Sequence, residues 1–131
     1  MNARIMILED EGLIALHIEE LLAHAGFEIV DLFACGEDAL AYLATSLAPD
    51  VILMDIGLAG TLNGIETARH IRDKADIPVI FLTAYNDQSH LAEAAEVSPD
   101  GYLTKPFTPH DLINAVKAAL ERVRSPDNQG K

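Results

Sequence analysis

Cysteine is all but missing from this sequence. Cys35 stands alone among 131 residues, which excludes an internal disulfide and agrees with a reducing compartment. No Cys and His cluster surrounds it, so a structural role fits better than metal ligation. Positive charge is the second scarcity. Nine Lys and Arg oppose 21 Asp and Glu, a formal net charge of −12, with a pI near 4.5. A surface of that sign lacks the basic footprint that nucleic acid or an anionic membrane requires, so the expected partners are proteins or cations. Long apolar runs are absent too. None approaches the ~20 residues of a membrane-spanning helix, and the N-terminus lacks the basic start and apolar stretch of a secretory signal. Together these absences predict a cytoplasmic protein.

What is present is a core. Half the residues are apolar, and the length suits one domain. The chain is organised around Val51-Ile52-Leu53-Met54-Asp55. Four consecutive apolar residues lie between the turn signal Pro49-Asp50 and Gly57, the pattern of a short strand buried on both faces of a sheet. Asp55 closes it. A carboxylate at the carboxyl end of a central parallel strand sits at the rim where open α/β sheets place their ligands.

Taken in order, Arg4 to Leu8 reads as strand one and stops at Glu9-Asp10-Glu11. Ile14, Ile18, Leu21, Leu22 and Ala25 form the stripe of helix one, and Gly26 supplies a residue able to take positive φ at its end. Phe27 to Phe33 is strand two. Cys35 falls at the N-cap of helix two, whose first turn carries Glu37 and Asp38 and whose predicted buried face is Ala39, Leu40, Leu43 and Leu47. After strand three, Asn63 and Glu66 have capping-box spacing, and helix three runs to about Lys74. Ile77 to Leu82 is strand four, ended by Thr83. A weak, Ala-rich helix four covers roughly Gln88 to Val97. Ser98-Pro99-Asp100-Gly101 is a turn, Tyr102-Leu103 a short strand five, and Thr108-Pro109 opens helix five, with Leu112, Ile113, Val116, Ala119, Leu120 and Val123 inward. Residues 125–131 read as a disordered polar tail after a domain spanning 1–124. Five strands alternating with five helices, without repeats or low complexity, predict a flavodoxin-like, doubly wound α/β fold with parallel strand order 2-1-3-4-5. In that order strands one and three are neighbours, so Glu9, Asp10 and Asp55 converge.

Four of the five strands end in a residue with chemical potential: Glu9 and Asp10, Asp55, Thr83, and Lys105 just past the fifth. Singly each has a commonplace reading as a helix cap, a turn residue or a solvated charge. Jointly, on one rim, they do not. Three carboxylates ~5 Å apart repel by roughly 3 kcal/mol per pair at an effective dielectric of about 20, a cost that a divalent cation removes. All-oxygen ligation with room for water suits Mg²⁺. Lys105 is placed to hold one phosphoryl oxygen and the Thr83 hydroxyl another, leaving Asp55 free as nucleophile. That is equipment for forming an acyl phosphate.

The ordered set Ile7-Leu8-Glu9-Asp10-Glu11, Ile52-Leu53-Met54-Asp55, Phe81-Leu82-Thr83-Ala84 and Gly101-Tyr102-Leu103-Thr104-Lys105-Pro106-Phe107 resembles the receiver domain of two-component response regulators, over about Arg4 to Arg124. The resemblance implies that Asp55 is the phosphoacceptor, charged by a phosphohistidine on a sensor histidine kinase or a phosphotransfer protein. It implies Mg²⁺ held by Asp10 and Asp55, by Glu9 through a water, and by the backbone carbonyl of Gly57. Thr83 and Tyr102 match the family's switch pair, Lys105 its phosphoryl-binding lysine, and the Lys105-Pro106 bond is expected to be cis. Such a domain catalyses its own phosphorylation and dephosphorylation rather than acting as a conventional enzyme. Its signal would leave through the face of helix four, strand five and helix five, where family members dimerise or dock a downstream protein. A homodimer through that face is among the partners the resemblance implies.

Departures from the family pattern are Glu9 in place of the commoner Asp, a longer loop after Asp55 with Ala59 where proline is frequent, and Ser98-Pro99-Asp100 before strand five. Gly57 and Tyr85 occupy the positions where family members tune hydrolysis of the acyl phosphate. Gly57 has no side chain to orient a water and Tyr85 is placed to shield the phosphoryl group, so slow self-dephosphorylation is expected. His17, His24, His70, His90 and His110 are scattered, the pattern of solvated positions rather than a phosphohistidine or metal site. The alternatives are a receiver-like interaction module that works without phosphorylation, and a flavodoxin-like or Mg²⁺-dependent phosphatase. The chemical residues are all retained, which weighs against the first. Glu9-Asp10-Glu11 would repel a flavin phosphate, and Gly57 stands where a haloacid-type phosphatase needs an acid.

Overall fold

The computed structural model describes residues 2–58 and 60–124, apart from the side chains at 85, 86, 123 and 124. The tail reading, the remark on Ala59 and the shielding role of the Tyr85 side chain fall outside those residues. The elements are β1 (Arg4–Leu8), α1 (Gly12–His24), β2 (Glu28–Phe33), α2 (Gly36–Thr45), β3 (Val51–Asp55), α3 (Gly64–Lys74), β4 (Val79–Thr83), a 3₁₀ turn (Tyr85–His90), α4 (Leu91–Ala95), β5 (Gly101–Thr104) and α5 (Pro109–Arg124). The strands form one parallel sheet in the order β2-β1-β3-β4-β5. This is the flavodoxin-like doubly wound order expected from the alternation of strands and helices.

The period of two along each inner strand divides the core. Met6, Leu8, Ile52, Met54, Val79 and Phe81 face one side, where Ile65, Ala68 and Ile71 of α3 and Ala94 of α4 cover them. Ile5, Ile7, Val51, Leu53, Ile80 and Leu82 face the other, under Ile18 and Leu22 of α1 and Leu112, Val116 and Ala119 of α5. All five residues of β3 and of β4 are buried. Burial on both faces is why these strands carry unbroken apolar runs, and it forces their polar residues to the ends.

Local signals set the helix boundaries. The Asn63 side chain accepts from Glu66 N at 2.9 Å and Glu66 Oε1 accepts from Asn63 N at 3.0 Å, the expected capping box. Thr108 Oγ1 accepts from Asp111 N at 3.0 Å at the start of α5. Gly26 has φ +100 after α1, a conformation that L side chains rarely adopt. Three expectations need correction. Leu47 is 75% exposed rather than on a buried face, because α2 ends at Thr45. Ala25 is exposed, as the C-cap of α1. Helix four is five residues long and follows a 3₁₀ turn, where Asp87 Oδ2 accepts from Ala84 N at 2.7 Å and tightens the entry.

Asp100, which reads from sequence as a turn residue, is a hub whose side chain is only 4% exposed. Its Oδ1 accepts from Arg72 Nη2 at 2.7 Å and from Val79 N at 3.1 Å, and its Oδ2 accepts from Arg122 Nε. One carboxylate thereby joins α3, β4 and α5 to the turn before β5.

Candidate functional site

The carboxyl ends of β1, β3, β4 and β5 meet on one rim. Leu8 pairs with Met54, Asp55 with Leu82, and Thr83 with Thr104, so the residues that follow these pairs are adjacent whatever their separation in sequence. Oxygens of Glu9, Asp10 and Asp55 lie within 4.8 Å of one another. Glu9 is buried, Asp55 is 7% exposed and Asp10 is exposed. Backbone bonds anchor the rim: Glu9 N donates to Phe33 O at 2.9 Å, Ile56 N to Leu82 O at 3.1 Å, and Lys105 N to Thr83 O at 2.7 Å. The Lys105-Pro106 bond is cis.

Lys105 carries the balancing charge. Its Nζ lies 2.7 Å from Glu9 Oε1, 3.5 Å from Asp55 Oδ2 and 4.0 Å from Glu11 Oε1. The Glu9 contact is close but misaligned, so buried Oε1 has no well-formed hydrogen bond; Oε2 accepts from Glu11 N at 3.1 Å. Asp55 Oδ1 accepts from Gly57 N at 3.1 Å. Burial lifts the Glu9 carboxyl to about 7, against the lowering effect of Lys105 and the Glu11 amide. Burial likewise raises Asp55, and the Lys105 ammonium offsets only part of that. Burial alone would lower Lys105, but Glu9 and Asp55 outweigh it and raise the ammonium. Three carboxylates against one ammonium leave a net charge of −2 when all are ionised. An all-oxygen donor set with that residual charge and one exposed member fits a hard divalent cation such as Mg²⁺.

Thr83 is buried at the end of β4 and Tyr102 is 44% exposed on β5. The Tyr102 ring lies over Phe81, centroids 6.2 Å apart at 32°. Gly57 follows β3 beside Asp55, and Tyr85 opens the 3₁₀ turn after Thr83. All five histidines are exposed and none lies in the site. Two contributors were not legible in sequence. Asp87, only 8% exposed, reaches the edge of the pocket from the 3₁₀ turn. Glu37 Oε2 on α2 accepts from Leu62 N at 3.1 Å, tethering the loop after β3. The signal for Asp87 was its place three residues after Ala84, the spacing of a cap.

The family model described as the response regulator receiver domain matches residues 5–117. The chain belongs to that family. The receiver is 36% identical over 121 residues to the transcriptional regulatory protein PdtaR of Mycobacterium tuberculosis, covering 92% of this chain and 58% of that one. It is 38% identical over 128 residues to the phosphate regulon transcriptional regulatory protein PhoB of Pseudomonas aeruginosa, covering 95% and 55%. The receiver thus spans little more than half the length of these relatives. Among solved structures, the signal receiver domain of a modulated diguanylate cyclase from Desulfovibrio desulfuricans G20 superposes with a TM-score of 0.87 at 32% identity, covering 93% of this chain and 96% of that domain. Among the described residues no helix is long and apolar enough to cross a membrane.

Proposed function

We propose that this receiver takes a phosphoryl group onto Asp55 from a phosphohistidine on a partner kinase or phosphotransfer protein, and that the acyl phosphate resets a protein-binding face. The observation that carries this reading is the buried Asp55 carboxylate at the end of the central strand, with Glu9 and Asp10 oxygens within 4.8 Å and the Lys105 ammonium 3.5 Å away. An Asp55 oxygen attacks phosphorus, the P–N bond breaks, and the imidazole leaves with the electron pair. Lys105 balances charge on the transferred group, and the Thr83 hydroxyl donates to one of its oxygens. Mg²⁺, held by Glu9, Asp10, Asp55 and the Gly57 carbonyl, would supply charge neutralisation for the incoming phosphoryl oxygens.

Thr83 movement toward the phosphoryl group and inward rotation of the half-exposed Tyr102 would bias two conformations of the face formed by α4, β5 and α5. A protein target fits there, and the strongly acidic composition argues against nucleic acid as the ligand of this domain. A cytoplasmic setting fits the lone thiol and the phosphohistidine donor. The test is incubation with acetyl phosphate or phosphoramidate and Mg²⁺, read by intact mass. A gain of one phosphoryl group that EDTA abolishes is expected; no gain with either donor would sink the reading.

Mg²⁺ binding should depend on pH. A cation needs Glu9 ionised, and burial holds that carboxyl near 7, so binding releases a proton below that pH. Affinity is expected to fall up to about tenfold per pH unit below 7 and to level off above it. In the metal-free protein the sign is reversed. Because the folded pKa of Glu9 is raised from 4.5 to about 7, its contribution to stability is fully present below pH 4.5 and is lost as pH rises from there through 7. Mg²⁺ titrations at pH 6 and 8 check the first statement and metal-free melting curves at pH 4.5, 6 and 8 the second, each repeated on Glu9→Gln, because the variant should flatten both dependences.

A further inference from the structure

Gly57 leaves an empty space beside Asp55. A Cβ built there would meet Asp87 Oδ1 at 3.8 Å and Asp55 Oδ1 at 3.9 Å. Both oxygens therefore lie within 4 Å of the one point that a side chain at position 57 would occupy. The Asp87 carboxylate is more than nine-tenths buried, and its orientation is set, because Oδ2 accepts from Ala84 N at 2.7 Å. Oδ1 has no hydrogen-bond donor among the described residues. A carboxylate oxygen that is held in place by its partner oxygen, faces the edge of a polar pocket and is still reachable by water is an acceptor for a water-borne hydrogen bond.

We infer that Asp87 is a positioning residue for hydrolysis of the Asp55 acyl phosphate, an inference that rests on the phosphorylation reading above. Asp87 Oδ1 accepts a hydrogen bond from a water in the space left by Gly57, so that a water oxygen lone pair is directed at phosphorus. The water oxygen forms the new P–O bond, and the bond between phosphorus and the Asp55 oxygen breaks. Asp55 returns as a carboxylate, and the water proton leaves with inorganic phosphate. The absent side chain at position 57 therefore does not leave the water without an acceptor. Asp87, 30 residues further along, replaces it. Slow hydrolysis then becomes the expectation for a variant lacking the Asp87 charge rather than for the native chain.

Asp87→Asn tests this. Asn keeps the shape and, through its carbonyl oxygen on Ala84 N, keeps the turn; its amide nitrogen then presents a donor instead of an acceptor to the water. Wild type, Asp87→Asn and the double variant Asp87→Asn with Gly57→Asn are phosphorylated with acetyl phosphate and Mg²⁺, the donor is removed, and the phosphorylated mass is followed over time. Thermal unfolding is recorded in parallel. The expected result is a half-life about tenfold longer for Asp87→Asn, an unfolding midpoint close to that of wild type, and a half-life shortened again in the double variant, whose new amide oxygen occupies the vacant space. Equal half-lives for wild type and Asp87→Asn would overturn the inference while leaving phosphorylation of Asp55 intact. So would failure of Asp87→Asn to accept the group when wild type does, because the residue would then act in uptake. No phosphoryl gain in wild type would overturn both readings.

Discussion

Asp55→Asn is expected to remain at its unmodified mass under conditions that add one phosphoryl group to the wild type. The amide nitrogen's lone pair is delocalised and the amide oxygen carries no full charge, so neither attacks phosphorus at a useful rate. Other carboxylates are close, but Glu9 Oε1 is ion-paired with the Lys105 ammonium 2.7 Å away and Asp10 is exposed to water. Neither should substitute. The same replacement removes one of three mutually repelling charges. Because burial raises the Asp55 carboxyl from its ordinary value, folding costs more for the carboxylate than for its neutral amide counterpart. The metal-free variant should therefore unfold at a higher temperature than the metal-free wild type, and added Mg²⁺ should stabilise it less. Intact mass and melting curves with and without EDTA read both effects. A phosphorylated Asp55→Asn protein would move the acceptor elsewhere.

Gly64→Ala should be among the most damaging single changes in the chain. A Cβ at this position would sit 2.0 Å from the backbone oxygen of Asp55, 2.9 Å from its carbonyl carbon and 3.0 Å from Ile56 Cα. All three are main-chain atoms at the end of the central strand, so no rotamer change relieves the overlap. Gly64 N also donates to Ile56 O at 3.1 Å, which locks the start of α3 against β3. Either α3 must lift from the sheet or Asp55 must move. Overpacking of this kind costs roughly 3 kcal/mol, equivalent to a midpoint about 10 °C lower for a domain of this size. Phosphoryl uptake should fall with it, since the displaced atoms belong to the acceptor residue. Gly12→Ala is the control: nothing lies within 4 Å of its Cβ, and its midpoint should stay near that of wild type. Equal midpoints for Gly64→Ala and wild type would show that α3 is free to adjust.

The family and the candidate site were legible because their signals are local. An apolar run ended by a polar residue marks the end of a buried strand, and parallel strands in this order bring those ends to one rim. Glu9, Asp10, Asp55, Thr83 and Lys105 could thus be grouped before any distance was known. Helix four was less legible. Its alanines report helix propensity, but its extent is set by the Asp87 side chain on Ala84 N, which spends the first turn as a 3₁₀ segment. Leu47 misled for a similar reason, since helical spacing continues past Thr45 and the chain does not.

By itself the sequence determined the alternation of strands and helices, the parallel order, and which charged residues stand at strand ends, because each depends on periodicity within a few residues. Only the tertiary structure decided which charge meets which. Lys105 lies nearer Glu9 than Asp55, Asp100 binds two arginines from different helices, Gly64 touches the backbone of Asp55, and Asp87 faces the space beside Gly57. These pairings join residues far apart in sequence through side-chain reach and the crossing of packed elements. No local pattern encodes such distances; they follow from how the layers close over the sheet.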